Sequence, residues 1–340
     1  MNKKRLFTSI LAIVSVVAIS VGGYTYRDAI QSRIARTAAV VSGQEIKPLL
    51  DSEGRYIRQI VAQDNSTSRT IMWQSDSSEP DAVIEYRQDG TDTIQTIGAT
   101  DKAFTDDGST TYIHEATLMG LTPNTKYEYR VGYGSDRRSD WYPLETAGAS
   151  VYDVLIYPDS QSGDYSQWEE IVKDSAYRTP KAALYIGMGD LVDNGEQAYQ
   201  WRTWLNSIHP LSTRVPLAPM MGNHEMYTLD WKMREPKAYL NYFDVPSNGN
   251  TTFDRHYYSY DYGDVHYVVL DTQLYESNHD DNHDVHHPDL YDVQVQWLRQ
   301  DLANNTKKWT VVLMHRDPFQ YAFDRPGASR AAGFDEEGVL

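Results

Sequence analysis

Four short polar stretches of this chain combine carboxylates, amides and imidazoles in a way that suits metal chemistry. They are Asp159-Ser-Gln161, Gly189-Asp190-Leu-Val-Asp193-Asn194-Gly195, Gly222-Asn223-His224-Glu225, and the single His315. Each has an ordinary explanation when taken alone. An Asp behind a strand commonly caps a helix or a turn. Gly-Asn-His can be a tight turn, and His315 a half-buried imidazole with its hydrogen bonds met. Together they offer oxygen and imidazole donors to Mn, Fe, Zn or Mg, and no cysteine among the 340 residues supplies a thiolate for a softer metal. Two such cations close together need a bridging carboxylate to offset their repulsion. The pair can clamp phosphate oxygens and bring the pKa of a bound water near neutrality.

The runs ahead of these residues read as strands that would gather them. Val151–Tyr157, Lys181–Gly187 and Pro216–Met221 are short and apolar, and helical patterning fills Tyr165–Ala176 and Gln197–Ile208 between them. Strands alternating with helices imply βαβ units, and open α/β sheets place ligands at the carboxyl ends of their strands. Downstream, His256–Tyr262 and Val265–Asp271, joined at Gly263-Asp264, predict a hairpin. Val293–Ala303 predicts a helix, and Trp309–Met314 a buried strand that ends at His315.

Upstream the rhythm is different. Tyr56–Val61, Arg69–Gln74, Ala82–Arg87, Thr93–Ile97, Tyr112–Leu118, Lys126–Tyr133 and Trp141–Leu144 alternate and are separated by turn residues, which predicts an antiparallel β-sandwich. Leu121-Thr-Pro-Asn-Thr-Lys-Tyr127-Glu-Tyr129 looks like a tyrosine corner, in which a phenol hydroxyl bonds back to the turn. With Trp73 on an early strand, the segment resembles a fibronectin type III-like domain.

The chain starts with Lys3, Lys4 and Arg5 before an uncharged run from Leu6 to Tyr26, the pattern of a secretory signal or an N-terminal membrane anchor. The run has roughly the 20 residues a spanning helix needs. The expected location is therefore extracytoplasmic, with contact to the membrane through this segment if it stays uncleaved. The net charge of −17 disfavours polyanions, so no nucleic-acid partner is expected. The expected organisation is a signal or anchor over 1–26, a tether over 27–55, the sandwich over 56–147 and the α/β domain over 148–340.

Asp-x-Gln, Gly-Asp-x-x-Asp, Gly-Asn-His-Glu and a later strand-terminal His resemble the motif series of the calcineurin-like metallophosphoesterases. The preceding sandwich brings the likeness nearest to purple acid phosphatases and their bacterial relatives. The resemblance implies a β-sandwich followed by an α/β domain of the four-layer αββα type, with two divalent or trivalent metal ions as cofactors. Asp159 and Gln161 would bind the first metal, Asp190 would bridge both, and Asn223 and His315 would bind the second. His224 and Asp190 would be the catalytic pair, with His224 protonating the leaving oxygen or stabilising the phosphoryl transition state.

Three departures from the family pattern stand out. Asp193 occupies the position where purple acid phosphatases carry a tyrosinate ligand, so no purple charge-transfer band is expected. Gln161 stands where many relatives have His, and a neutral amide is the weaker donor. No Gly-His-x-His follows His315, so the αββα domain is expected to be incomplete at its C-terminus, an absence that counts against activity of this chain. The His- and Asp-rich stretch from His279 to His287 reads as a solvated acidic loop rather than the catalytic centre. The leading expectation is a metal-dependent phosphatase that hydrolyses small phosphomonoesters with a metal-activated water. Two alternatives stay open: a phosphodiesterase or nucleotide hydrolase of the same fold, and a non-catalytic surface binding protein with a degenerate phosphoesterase domain.

Overall fold

Period-two alternation and turn chemistry shape the first half of the chain. The computed structural model describes residues 54–148, 151–273 and 290–316. The N-terminal basic and apolar segment, almost all of the tether and the His279–His287 stretch lie outside the described residues, as does everything after Arg316. Among the described residues no helix is long and apolar enough to cross a membrane.

Nine strands come first: β1 (Arg55–Ile60), β2 (Arg69–Ser75), β3 (Ala82–Gln88), β4 (Gln95–Gly98), β5 (Lys102–Asp106), β6 (Ser109–Leu118), β7 (Lys126–Tyr133), β8 (Arg137–Arg138) and β9 (Tyr142–Glu145). In β3 the alternation is plain, with Ala82, Ile84 and Tyr86 inward and the residues between them partly exposed. One sheet runs β4-β3-β7-β8, with β9 also on β7. It packs over β1, β2 and β6 around a core that includes Ile71, Trp73, Ile84, Tyr129 and Val131. The tyrosine corner is present, as the Thr122 N–H donates to the Tyr127 hydroxyl at 3.0 Å. The sequence reading lacked β5 and β8, which carry little apolar pattern.

The second half contains β10 (Asp153–Tyr157), α1 (Ser166–Arg178), β11 (Ala182–Met188), α2 (Ala198–Ser207), α3 (His209–Ser212), β12 (Leu217–Met220), α4 (Lys237–Tyr242), β13 (Tyr258–Tyr262), β14 (Val265–Val269), α5 (Leu290–Asn304) and β15 (Trp309–Leu313). Strands β10, β11 and β12 are parallel, with Tyr157 opposite Gly187 and Met188 opposite Met220. A second sheet, β13-β14-β15, faces them across a shared core that takes in Ile186, Leu217, Tyr260, Val269 and Leu313. Helices α1 and α2 bury Trp168, Val172, Trp201 and Trp204 in that core. Helix α5 lays Leu298 against Val268 and Leu270 on the far side of the second sheet. The layers are helix, sheet, sheet, helix.

The two halves share a sheet. Its order is β10-β11-β12-β1-β2-β6-β5, and β1 pairs parallel with β12 where Ile60 meets Leu217. Strand β1 is therefore covered on both faces, and it buries Arg58 and Gln59 as well as Ile57 and Ile60. Arg58 is kept there by hydrogen bonds to the Tyr242 carbonyl at 2.6 and 2.8 Å and to the Tyr56 carbonyl at 2.7 Å. Burial pulls its guanidinium down to about 9. A buried charge of this kind is tolerable only while those acceptors are in place.

Candidate metal centre

The parallel register brings the loops after β10, β11 and β12 side by side, and backbone bonds strap them together. The Asp159 N–H donates to the Gly189 carbonyl at 3.2 Å, and the Gln161 N–H to the Asp190 carbonyl at 2.9 Å. Asp159 and Asp190 both take φ of 49°, in the left-handed region that Asp enters more readily than most residues. Glycine is needed at two neighbours. A Cβ on Gly189, whose φ is 80°, would come within 2.6 Å of His315 Nδ1, and one on Gly222 would collide with the Asp190 carboxylate.

Strand β15 delivers His315 from the other sheet. Asp159, Asp190 and His315 each offer a ligand atom, all within 4.8 Å of one another. His315 Nε2 lies 3.2 Å from Asp190 Oδ2, and its Nδ1 faces the Met188 carbonyl at 2.8 Å. Burial alone would raise the Asp190 carboxyl. The hydrogen bond from His315 and the charges of His224 and His315 outweigh it and hold the group below its usual range. Burial likewise pulls His315 down, but Asp190 raises it to about 9.

His224 stands beside this cluster, at the start of a short 3-10 turn, His224–Met226. Its backbone N–H donates to Asp190 Oδ1 at 2.9 Å, and its Nδ1 faces the Asp193 carbonyl at 2.7 Å. Nε2 is thereby directed to the site, 4.0 Å from Asp190 Oδ2. Asn223 turns its amide nitrogen to the Tyr227 hydroxyl at 3.3 Å, which leaves the amide oxygen as the atom available to a cation. Gln161 Oε1 is buried without a hydrogen-bond partner.

Glu225 has no role assigned by the sequence pattern, and the structure gives it one. It is fully buried and accepts four backbone N–H groups: Gly222 at 2.6 Å, Leu191 at 2.7 Å, Asp190 at 2.9 Å and Val192 at 3.2 Å. Burial and the Asp190 charge push its carboxyl up to about 7, against the pull of the Gly222 and Val192 N–H groups. Its work is to clamp the turn that presents Asp190 to the loop that presents His224. The only signal for this was its place directly after Gly-Asn-His. Tyr227 and Trp231 were also missed as neighbours of His224, with ring centroids 5.2 and 6.0 Å away.

These residues fit a cation pair. An orphaned buried amide oxygen at Gln161 is costly unless something binds it. At His315 the Nδ1–H is committed to a backbone carbonyl, which leaves Nε2 to the cluster, as in most metal-ligating histidines. Asp193, where a tyrosinate would stand in purple acid phosphatases, gives its carbonyl to His224, and its N–H meets the Tyr165 hydroxyl at 3.2 Å.

Comparison with known proteins places the chain in a family. Residues 56–146 match the family described as Purple acid Phosphatase, N-terminal domain, and residues 139–337 match Calcineurin-like phosphoesterase. Purple acid phosphatase 23 of Arabidopsis thaliana is 26% identical over 241 residues, 60% of this chain and 48% of its own length. Acid phosphatase type 7 of Mus musculus is 26% identical over 231 residues, 64% of this chain and 48% of its own. The chain thus spans about half the length of these curated relatives. The structure of a purple acid phosphatase from yellow lupin (Lupinus luteus) seeds superposes with a TM-score of 0.64 at 19% identity. That match covers 82% of this chain and 55% of the lupin chain, and it establishes likeness of fold. The family uses a dinuclear metal centre. With its sandwich, its αββα layers and the match over residues 139–337, the chain belongs to the calcineurin-like phosphoesterases and carries a purple acid phosphatase N-terminal domain.

Proposed function

We propose that this chain is a metal-dependent phosphatase acting on small phosphomonoesters. The reading is carried by the convergence of Asp159, Asp190 and His315 beside His224. Asp159 and Gln161 would hold one cation, Asn223 and His315 the other, and Asp190 would be shared. When bound, two such ions (Fe, Mn, Zn or Mg) supply charge stabilisation at the phosphoryl oxygens and a water acidic enough to attack phosphorus.

The chain's own groups position and move protons. Asp190 stays ionised, as a shared ligand must. His315 keeps its Nδ1–H on the Met188 carbonyl, so ligation falls to Nε2 and requires loss of the proton there. His224 commits Nδ1–H to the Asp193 carbonyl, so Nε2 is the atom that can hand a proton to a departing oxygen. Glu225 keeps the Asp190 turn and the His224 turn at a fixed separation. The basic start followed by an apolar run supports an extracytoplasmic site of action, and the acidic net charge supports small substrates over nucleic acid.

The test is to strip the protein of metal, reload it with each ion in turn and measure turnover of a nitrophenyl monoester and its diester. Faster monoester hydrolysis is expected. A preference for the diester would move the reading to a phosphodiesterase. No metal-dependent turnover of either would overturn it and leave a binding protein. Iron-loaded protein should show no visible iron–tyrosinate band, because Tyr165, whose hydroxyl lies against Asp193, donates to Gln200 at 3.2 Å.

A further inference from the structure

Next to the proposed proton donor the chain builds a small, strained turn. Tyr227 pairs antiparallel with Met233, the Thr228 N–H donates to the Lys232 carbonyl at 2.7 Å, and the Trp231 N–H to the Thr228 carbonyl at 2.8 Å. The turn is pinned to the loop after β11 on both sides. Asn194 Nδ2 donates to the Thr228 carbonyl at 2.7 Å, and the Leu229 N–H to Glu196 Oε2 at 2.6 Å. At its tip Trp231 has φ of 60°. A bulky side chain in the left-handed region is strained, and such strain persists where the surrounding structure enforces it for a purpose. A glycine or asparagine would close the same turn without that cost.

What the tryptophan does there is set an aromatic wall. Its ring lies 6.0 Å from His224 and 5.4 Å from Tyr227, and Tyr227 lies 5.2 Å from His224. Trp231 itself is only half-buried, so part of the indole remains available. On the reading above, the phosphoryl group sits at Asp190 and the leaving oxygen at His224 Nε2. The body attached to that oxygen then has as its aromatic neighbour the half-buried indole of Trp231, backed by the buried Tyr227.

We infer that Trp231, with Tyr227, selects phosphomonoesters whose leaving group is a flat aromatic or heteroaromatic ring, by stacking that ring as the ester binds. The inference rests on the phosphoesterase reading. Planar rings gain from offset or edge-to-face contact with indole and phenol, and an aliphatic leaving group offers nothing comparable.

The test is equilibrium binding of two non-hydrolysable analogues, phenylphosphonate and methylphosphonate, to the metal-reconstituted chain by calorimetry. The wild type should bind phenylphosphonate about tenfold tighter, the order that aromatic stacking carries. Trp231→Leu should lose most of that preference and Trp231→Phe should keep most of it. Trp231→Gly should also lose it while melting at a higher temperature, because the strain is relieved. A preference that survives Trp231→Leu, or equal binding of the two ligands by the wild type, overturns this inference alone. A lower melting temperature in Trp231→Gly with the preference intact assigns the indole to packing and overturns it too. Binding of neither ligand overturns both this inference and the phosphoesterase reading.

Discussion

The sandwich and the α/β layers each bury a histidine, and the two surroundings treat the ring in opposite ways. His114, on β6, is 0% exposed between the rings of Trp73 and Tyr133, at 5.3 and 5.5 Å. Its Nε2 meets Ser75 Oγ at 2.8 Å and its Nδ1 the Thr100 carbonyl at 3.0 Å. Burial lowers its pKa, and neither nitrogen is left for a ligand. His315 has one nitrogen tied to a carbonyl, and the other faces Asp190 and the Asp159 cluster. The first ring is a satisfied core histidine, and the second turns a nitrogen to a cluster that could hold a metal ion. The bland reading that fits His114 is weaker for His315 because its second nitrogen faces a cluster of ligand atoms, Asp190 together with Asp159, all within 4.8 Å.

The sharpest way to break that contrast is Asp190→Asn. On the phosphoesterase reading it should cut metal-dependent turnover at least about 100-fold, as loss of a charge-stabilising group does, and lower metal content measured by mass spectrometry. Retained turnover with two metals bound would remove Asp190 from its shared place. The fold should survive, since the substitution is isosteric.

Glu225→Gln comes next. An amide can accept through only one of the two oxygens that now take four N–H groups, so a loss of about 3 kcal/mol is expected in chemical denaturation. Metal affinity should fall with it, because the Asp190 turn loosens. Unchanged stability would mean that the clamp is dispensable.

His114→Ala should cost about 2 kcal/mol from lost packing and an unmet Ser75 and Thr100. Metal content should be untouched, which separates this ring from His315. A loss of metal in this variant would tie the sandwich to the centre and erase the comparison.

A third histidine sharpens the picture through pH. His256 is buried, with Nδ1 3.1 Å from Asp271 Oδ2 and Nε2 2.9 Å from Glu235 Oε1. Burial lowers its pKa, but the two carboxylates outweigh that and raise it to about 9. A folded pKa above the unfolded value means that the stabilisation is whole below about 6.5 and fades as pH climbs through 9. The wild type should lose up to about 3 kcal/mol across that window relative to His256→Gln. Parallel pH profiles for the two proteins would show that His256 carries no charge between Asp271 and Glu235.

Much of this architecture was legible because it is local. Period-two runs mark β3 and most of β7, and Lys126–Tyr133 has the same bounds in sequence and in structure. The apolar runs ending near Met188 and Met220 announce two buried strands, and the polar residues after them follow, whereas β10 and β15, apolar in the same way, are strands that stay largely exposed. Strand β5 was silent, since Lys102–Asp106 buries only Phe104. The role of Glu225 was silent for another reason. A buried carboxylate is defined by donors contributed from 190–192 and 222, and no spacing rule ties those positions together in advance.

Residue chemistry and short-range pattern by themselves determined the donor set, the strand ends that carry it and the family likeness. Hydrogen-bond capacity, turn preference and side-chain alternation are properties of a few neighbouring residues. Only the tertiary structure decided that β1 joins β12 in one sheet, that His315 crosses from the other sheet to Asp190, and that Trp231 is forced against His224. Those outcomes depend on pairing between segments far apart in sequence, and the free energy that selects them exists only when the layers close on a common core.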